Sequence, residues 1–169
     1  MATRRTRSLA LVLALAGLML VASAAIVTAK APKILEFDTM VGTPQAFTGA
    51  TNAIRGVPGG GLPWALASGT GELTASGHLE VKVQGLVLAA GGNTGSNPIA
   101  SFRAIVSCLD ADAGVVNVQT DAFPATTGPA SAGGGNTKIE ANLPLPDPCI
   151  APIVFVTSPG GAWFAVTGG

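Results

Sequence analysis

The single histidine is the first residue whose chemistry has to be considered. His78 lies two residues after Ser76, and a hydrolytic triad needs a nucleophile, a base and an orienting acid that meet in space. The segment Ser76-Gly77-His78 separates two runs of alternating residues and is therefore predicted to be a hairpin turn, where little excludes water. We expect His78 to be a solvated turn residue with no catalytic role.

A pair of acids offers the next candidate, a calcium site. Asp110-Ala111-Asp112-Ala113-Gly114 resembles the opening of a calcium loop, which would need further oxygen ligands and a bidentate Glu near its end. Valines follow where those ligands should be. The pattern favours a turn with two solvated acids, and Asp110 and Asp112 remain as a weak calcium candidate that Asp121 or Asp147 would have to complete.

Patterns typical of resident cofactors are missing from the sequence. The glycine-rich stretches around Gly59, Gly91 and Gly133 lack the Gly-Lys-Ser/Thr ending of a phosphate-binding loop. Two cysteines and one histidine are too few for an ordinary structural zinc site, which has four such ligands. We therefore expect no cofactor, and no metal apart from the weak calcium candidate at Asp110 and Asp112.

Trp163 is the one candidate for stacking on a ligand. In the predicted strand over residues 162–167, Trp163 alternates with Phe164 and Val166. If those two side chains fill the core, the Trp163 ring points outward, where it could stack on a sugar or on an apolar patch of a partner. The alternative is that both faces of the strand are covered and Trp163 is packed, since residues 153–156 are apolar on both faces as well.

The elements that position these residues are predicted to be short strands. Only 11% of residues are charged, against about a quarter in an average protein, and Gly (23) and Pro (12) are abundant. The clearest local signal is a hairpin of residues 72–75 and 79–84, in which apolar and polar side chains alternate as in a half-buried antiparallel strand. Trp64 shares a face with Leu62 and Leu66 and is predicted to be buried.

Eight to ten strands follow from such patterns, which favours an all-β fold. Beyond the hairpin, strands are predicted at 34–41, 45–49, 99–109, 115–120, 138–143, 152–157 and 162–167. Regular spacing of short strands and turns is typical of an antiparallel β-sandwich, of the immunoglobulin-like or jelly-roll type, or of a barrel. Residues 123–136 are rich in Ala, Thr, Gly, Pro and Ser and are predicted to be a mobile loop.

The N-terminus predicts export. Arg4, Arg5 and Arg7 precede an uncharged apolar run over residues 9–27, and small residues follow at cleavage-like positions. This order is typical of a signal peptide, here residues 1–29, which leaves a single domain over residues 30–169. The apolar run is also near the minimum length of a membrane-spanning helix, so an uncleaved anchor is the alternative.

Two further features fit an extracytoplasmic protein. Cys108 and Cys149 are the only cysteines, and outside the cytosol an even count predicts a disulfide bond. Without its signal peptide the chain has six basic and nine acidic residues, because three of the nine Lys and Arg residues lie in the signal. A mildly acidic protein with scattered basic residues is not expected to bind nucleic acid.

Two segments carry a resemblance to known sequences. Residues 102–108, FRAIVSC, and residues 155–164, FVTSPGGAWF, resemble uncharacterised secreted β-rich proteins from GC-rich bacterial genomes. The resemblance covers about residues 62–169. It implies a bacterial, extracytoplasmic protein and no particular activity, cofactor or site.

These observations predict an exported, non-catalytic β-sandwich domain with a binding or cell-envelope structural role. A protein or a cell-envelope polymer would be its partner, and no membrane span remains after cleavage of the signal. One alternative is a carbohydrate- or polymer-binding module that uses an exposed Trp163. A second is a hydrolase that works through carboxylates, for which the separation of acids in space would decide.

Overall fold

The computed structural model describes residues 31–167, and every regular element in them longer than three residues is a β-strand. The predicted signal peptide, residues 1–29, lies outside the described residues. Two short 3₁₀ turns occur at Gln45–Phe47 and Ala130–Ala132. The strands are β1 (Lys33–Phe37), β2 (Met40–Gly42), β3 (Trp64–Ala65), β4 (Ser68–Thr74), β5 (His78–Gln84), β6 (Val87–Leu88), β7 (Ser96–Asn97), β8 (Ser101–Leu109), β9 (Val115–Gln119), β10 (Phe123–Pro124), β11 (Gly128–Pro129), β12 (Thr137–Asn142), β13 (Ile150–Thr157) and β14 (Trp163–Thr167).

Two antiparallel sheets contain most of these strands. One has four strands in the order β1-β4-β5-β12, and the other has six, with the path β10-β8-β13-β14-β2 and β9 paired with β8. Two further pairs, β3 with β6 and β7 with β11, have two residues per strand. The all-β, antiparallel class predicted from the sequence is confirmed.

A single hydrophobic cluster is shared by the two large sheets. Strands β4, β5 and β12 contribute Leu73, Leu79, Val81, Val83 and Ile139, and strands β8 and β13 contribute Phe102, Ala104, Val106, Val154 and Val156. In β5 the apolar residues alternate strictly with His78, Glu80, Lys82 and Gln84, so the same alternation that fills the core sends the polar side chains to the outer face.

The predicted strand over residues 34–41 is divided between the two sheets. Strand β1 pairs with β4, whereas β2 pairs with β14. Phe37 and Met40 are both buried in the shared cluster, although residues three apart in a continuous strand would point to opposite faces. The chain therefore breaks at the exposed residues between them and crosses from one sheet to the other.

Two other local predictions need correction. Residues 45–49 were expected to be a strand, but they begin with the 3₁₀ turn Gln45–Phe47, which follows Pro44. Residues 123–136, expected to be a loop, contain β10, β11 and the second 3₁₀ turn. The turn ends at Gly133, whose φ of 84° is a conformation that glycine adopts readily.

The predicted disulfide is confirmed. Cys108 and Cys149 are bonded across 41 positions of sequence, with their Cα atoms 5.0 Å apart. Cys108 lies in β8 and is fully buried, and Cys149 precedes β13, which pairs with β8. The bond therefore fastens the start of β13 to its neighbouring strand, and it is typical of an oxidising, extracytoplasmic compartment.

Candidate functional site

The outer face of the four-stranded sheet carries a straight line of carboxylates. Glu36 of β1 is directly opposite Glu72 of β4, Glu72 is opposite Glu80 of β5, and Glu80 is opposite Glu140 of β12. We call these four residues the acidic row. Like charges directly opposite each other destabilise a sheet, so the row needs cations close by.

Lysines supply those cations at both ends of the acidic row. Lys33 Nζ donates to Glu36 Oε1 at 2.8 Å and contacts Glu72 Oε2 at 2.7 Å. These two carboxylates, Glu36 first, raise the pKa of Lys33 well above its ordinary range. At the other end Lys138 Nζ donates to Glu140 Oε2 at 2.8 Å, which raises the pKa of Lys138 and lowers that of Glu140. The side chains of both lysines, Glu36 and Glu140 are open to solvent, whereas that of Glu72 is only 22% exposed.

A groove with a volume of about 770 Å³ runs over this face. Its charged lining consists of the acids Glu36, Asp38, Glu72 and Glu80 and the bases Lys82 and Lys138. The acids outnumber the bases by two. At its floor Gly71 leaves room for the ring of Phe37, since a Cβ at that position would overlap the ring and the backbone of β5.

His78 is not the isolated turn residue that the sequence suggests. It is the first residue of β5, and the turn is made by the residues before it. His78 Nε2 lies 3.6 Å from Glu80 Oε1, and His78 Nδ1 lies 3.3 Å from Oδ1 of Asn142, which is directly opposite in β12. The histidine is only partly exposed because it stands between these neighbours.

Three side chains at this end of the acidic row converge. One ligand atom from each of His78, Glu80 and Glu140 lies within 4.8 Å of both others. We call these residues the His-Glu-Glu cluster. The sequence predicts no zinc site because it has only two cysteines and one histidine, whereas this cluster combines the imidazole with two carboxylates.

The pKa of Glu140 bears on the hydrolase alternative. The general acid of a glycosidase has a raised pKa, so that it keeps its proton at neutral pH. Lys138 lowers the pKa of Glu140 instead. Glu140 is therefore unsuited to donate a proton to a leaving group.

The two acids of the calcium candidate have a local structural use. Asp110 Oδ1 accepts the backbone N–H groups of Asp112, at 3.0 Å, and Gly114, at 2.8 Å. This arrangement stabilises the turn between β8 and β9. Within residues 31–167, neither acid belongs to a group of three His, Cys, Asp or Glu side chains with converging ligand atoms.

Trp163 is packed, so the exposed stacking platform is wrong. Its side chain is 1% exposed and lies in a second hydrophobic cluster with Val57, Ile105 and Phe155. The segment that precedes β3 covers it: Pro58 O accepts the Trp163 backbone N–H at 2.8 Å, and the Phe47 ring lies 6.2 Å away. The glycan-binding hypothesis loses its support with this burial. Trp64, 5% exposed, is in the core as predicted.

The acidic row and the His-Glu-Glu cluster were missed in the sequence, although part of the signal is present. Alternation in residues 79–84 and 138–143 gives each strand one polar face. Nothing local indicates that β5 pairs with β12, which lies more than 50 positions further along the chain. Without that register, the carboxylates cannot be aligned.

None of the described helical segments has the length and apolarity that crossing a membrane requires.

Comparisons of the chain with protein-family models, with curated proteins and with solved structures find no match.

Proposed function

We propose that this protein is an exported, non-catalytic β-sandwich domain that binds a basic segment of a protein partner on the outer face of its four-stranded sheet. The shared core of the two large sheets supports the sandwich arrangement, of the immunoglobulin-like or jelly-roll type. The tripartite N-terminus and the disulfide bond support export.

The observation that carries the binding proposal is the groove along the acidic row. Its lining has four acids and two lysines, and the four glutamates of the row are held in line although their mutual repulsion costs stability. Lysine or arginine side chains of a partner would relieve the repulsion on binding.

Part of the negative charge in the groove remains available to such a partner. Lys33 already neutralises part of the charge at Glu36 and Glu72, and Lys138 does so at Glu140. Asp38 and Glu80 also line the groove, and no lysine within residues 31–167 forms a salt bridge with either of them. Because the groove is open to water, the attraction is screened by salt within about 10 Å. Binding is therefore expected to be weak and strongly dependent on ionic strength.

A fluorescent oligolysine peptide tests the proposal by anisotropy, at about 20 mM and about 150 mM salt. We expect saturable binding that weakens with salt, and no binding of an oligoglutamate peptide. The double variant Glu36→Gln/Asp38→Asn removes two acids from the groove and should weaken binding about tenfold. The control Asp112→Asn/Asp121→Asn removes two exposed acids elsewhere and should bind as the unmodified protein does. Equal binding by both double variants would overturn the groove as the site.

A further inference from the structure

We propose that His78, Glu80 and Glu140 form a binding site for a zinc ion on the outer face of the four-stranded sheet. The site lies at one end of the acidic row and needs no partner protein. It therefore goes beyond the binding function proposed above.

The positions of the three residues follow from strand pairing. His78 and Glu80 are two residues apart in β5 and so share its outer face. Glu140 is directly opposite Glu80 in β12, where Cβ atoms of paired residues are about 5 Å apart. Two strands fixed by backbone hydrogen bonds thus present three metal-ligating side chains to one point.

The spacing of the ligand atoms is close to what zinc requires. The three atoms lie within 4.8 Å of one another, and His78 Nε2 is 3.6 Å from Glu80 Oε1. Ligands in a tetrahedral zinc site, with bonds of about 2.0–2.2 Å, are roughly 3.4 Å apart. The side chains of Glu80 and Glu140 are 43% and 50% exposed, so they have the space to rotate toward a shared ion.

Asn142 orients the histidine for this role. When His78 Nδ1 carries the proton, it donates to Asn142 Oδ1 at 3.3 Å. Nε2 then presents its lone pair on the side of Glu80. Histidines that bind metals are held in this way by an acceptor on the other ring nitrogen, and the register places Asn142 opposite His78 for this contact.

The ligand set favours zinc over calcium or magnesium. Calcium and magnesium take oxygen ligands, whereas imidazole nitrogen together with carboxylate suits zinc. Three protein ligands leave the fourth tetrahedral position for water. Lys138, whose Nζ contacts Glu140 Oε2, competes with the ion for that carboxylate, so the affinity is moderated by a neighbouring cation.

Titration of the purified protein, without a histidine tag, with ZnCl₂ tests the proposal. By calorimetry we expect one saturable site for Zn²⁺ and none of comparable affinity for Mg²⁺ or Ca²⁺. His78→Ala and Glu140→Gln should each weaken zinc binding by more than about tenfold, and Asn142→Ala by about tenfold. Lys138→Met should strengthen it. Circular dichroism on each variant shows that the fold is retained.

A second readout does not depend on any substitution. His78 is the only histidine in the chain, so its ring resonances in NMR report on the site alone. Zinc should shift them in a saturable way. Absence of saturable binding, unmoved His78 resonances in the zinc-bound protein, or undiminished affinity in His78→Ala would each overturn the proposal.

Two single-site variants separate this site from the peptide groove. Glu36→Gln removes a carboxylate from the far end of the acidic row and should weaken oligolysine binding while zinc affinity is unchanged. His78→Ala should abolish zinc binding and leave oligolysine binding nearly unchanged. Loss of zinc affinity in Glu36→Gln equal to that in Glu140→Gln would show a diffuse charge effect and overturn a discrete site.

Discussion

Trp163 and Phe164 are consecutive in strand β14 and lie in two separate hydrophobic clusters. Phe164 stacks on Trp64, with ring centroids 4.0 Å apart, in the cluster shared by the two large sheets. Trp163 packs on the opposite face against Phe155, at 6.2 Å, and beneath Phe47. The six-stranded sheet is thus covered on both faces at this strand.

The burial of both tryptophans predicts low accessibility to a soluble quencher. In the single-tryptophan variants Trp64→Phe and Trp163→Phe, the remaining indole should be quenched by acrylamide far less than it is in urea. The two rings, 5% and 1% exposed, should differ little from each other. Strong quenching of Trp163 in the folded protein would contradict the covering by the segment around Phe47.

Removal of the Trp163 ring should be costly. Trp163→Ala leaves a large hole in the second cluster, and substitutions of this kind lower the free energy of unfolding by about 3–5 kcal/mol. Urea unfolding measures the change. Leu62→Ala, which removes a side chain that is 43% exposed, is the matched control and should change stability by less than about 1 kcal/mol.

The disulfide bond should contribute strongly to stability. Cys108 and Cys149 are 41 positions apart, and closing a loop of that length restricts the unfolded chain by about 4 kcal/mol in the chain-entropy model. Reduction should lower the urea midpoint accordingly, with two thiols appearing by thiol counting. A reduced protein as stable as the oxidised one would mean that the bond does not constrain the unfolded state.

Two glycines with the same φ allow backbone strain to be separated from steric overlap. Gly77 and Gly161 both have a φ of 87°. A Cβ at Gly77 would overlap the carbonyl of Leu143, whose N–H donates to Gly77 O at 2.9 Å, whereas a Cβ at Gly161 meets nothing. Gly161→Ala should cost about 1 kcal/mol from the left-handed backbone alone.

Gly77→Ala should lower the free energy of unfolding clearly more than Gly161→Ala does in the same urea experiment, because the backbone at Leu143 has to move. Equal losses in the two variants would show that the turn before β5 adjusts freely.

The pair of Lys138 and Glu140 predicts part of the acid sensitivity. The pKa of Glu140 is lower in the folded protein than in the unfolded chain because Lys138 donates to it. The stability from this pair is therefore complete above the ordinary pKa of glutamate and is lost as pH falls through the lowered value. Lys138→Met should make the decline of stability in this acid range shallower, measured in the presence of a metal chelator.

Lys82→Met is the control for that experiment. Lys82 is directly opposite Lys138, so the substitution removes the same charge from the same face of the sheet. The stability of Lys82→Met should fall with decreasing pH as that of the unmodified protein does. Identical curves for all three proteins would mean that the ion pair has no effect on stability.

The strands could be predicted from the sequence wherever alternation is regular. Residues 79–84 alternate because their inner side chains fill the core, and β5 is found there. The sequence predicts one strand over residues 34–41, because nothing in their composition marks a break. The division follows from two buried side chains at an odd spacing, Phe37 and Met40, whose burial only the tertiary fold determines.

The candidate site was less predictable than the fold. Alternation gives the polar face of β5 and that of β12, but the row exists only through the register between distant strands. Trp163 shows the same limit. Alternation correctly predicts that Trp163 and Phe164 point to opposite faces of β14. Whether the Trp163 face is exposed depends on a loop that the pattern does not position.

The break between β1 and β2 has a consequence for the self-association of the protein. Neighbouring segments of the chain form one edge strand of each large sheet, since β1 is the last strand beside β4 and β2 is the last strand beside β14. An open border exposes unpaired N–H and C=O groups that capture strands from other chains. Loss of residues 33–42 would make β4, with seven residues, and β14, with five, the edge strands in place of β1, with five, and β2, with three. Because very short edge strands protect a sheet from pairing with other chains, the shortened chain would be expected to associate with itself more than the intact chain does.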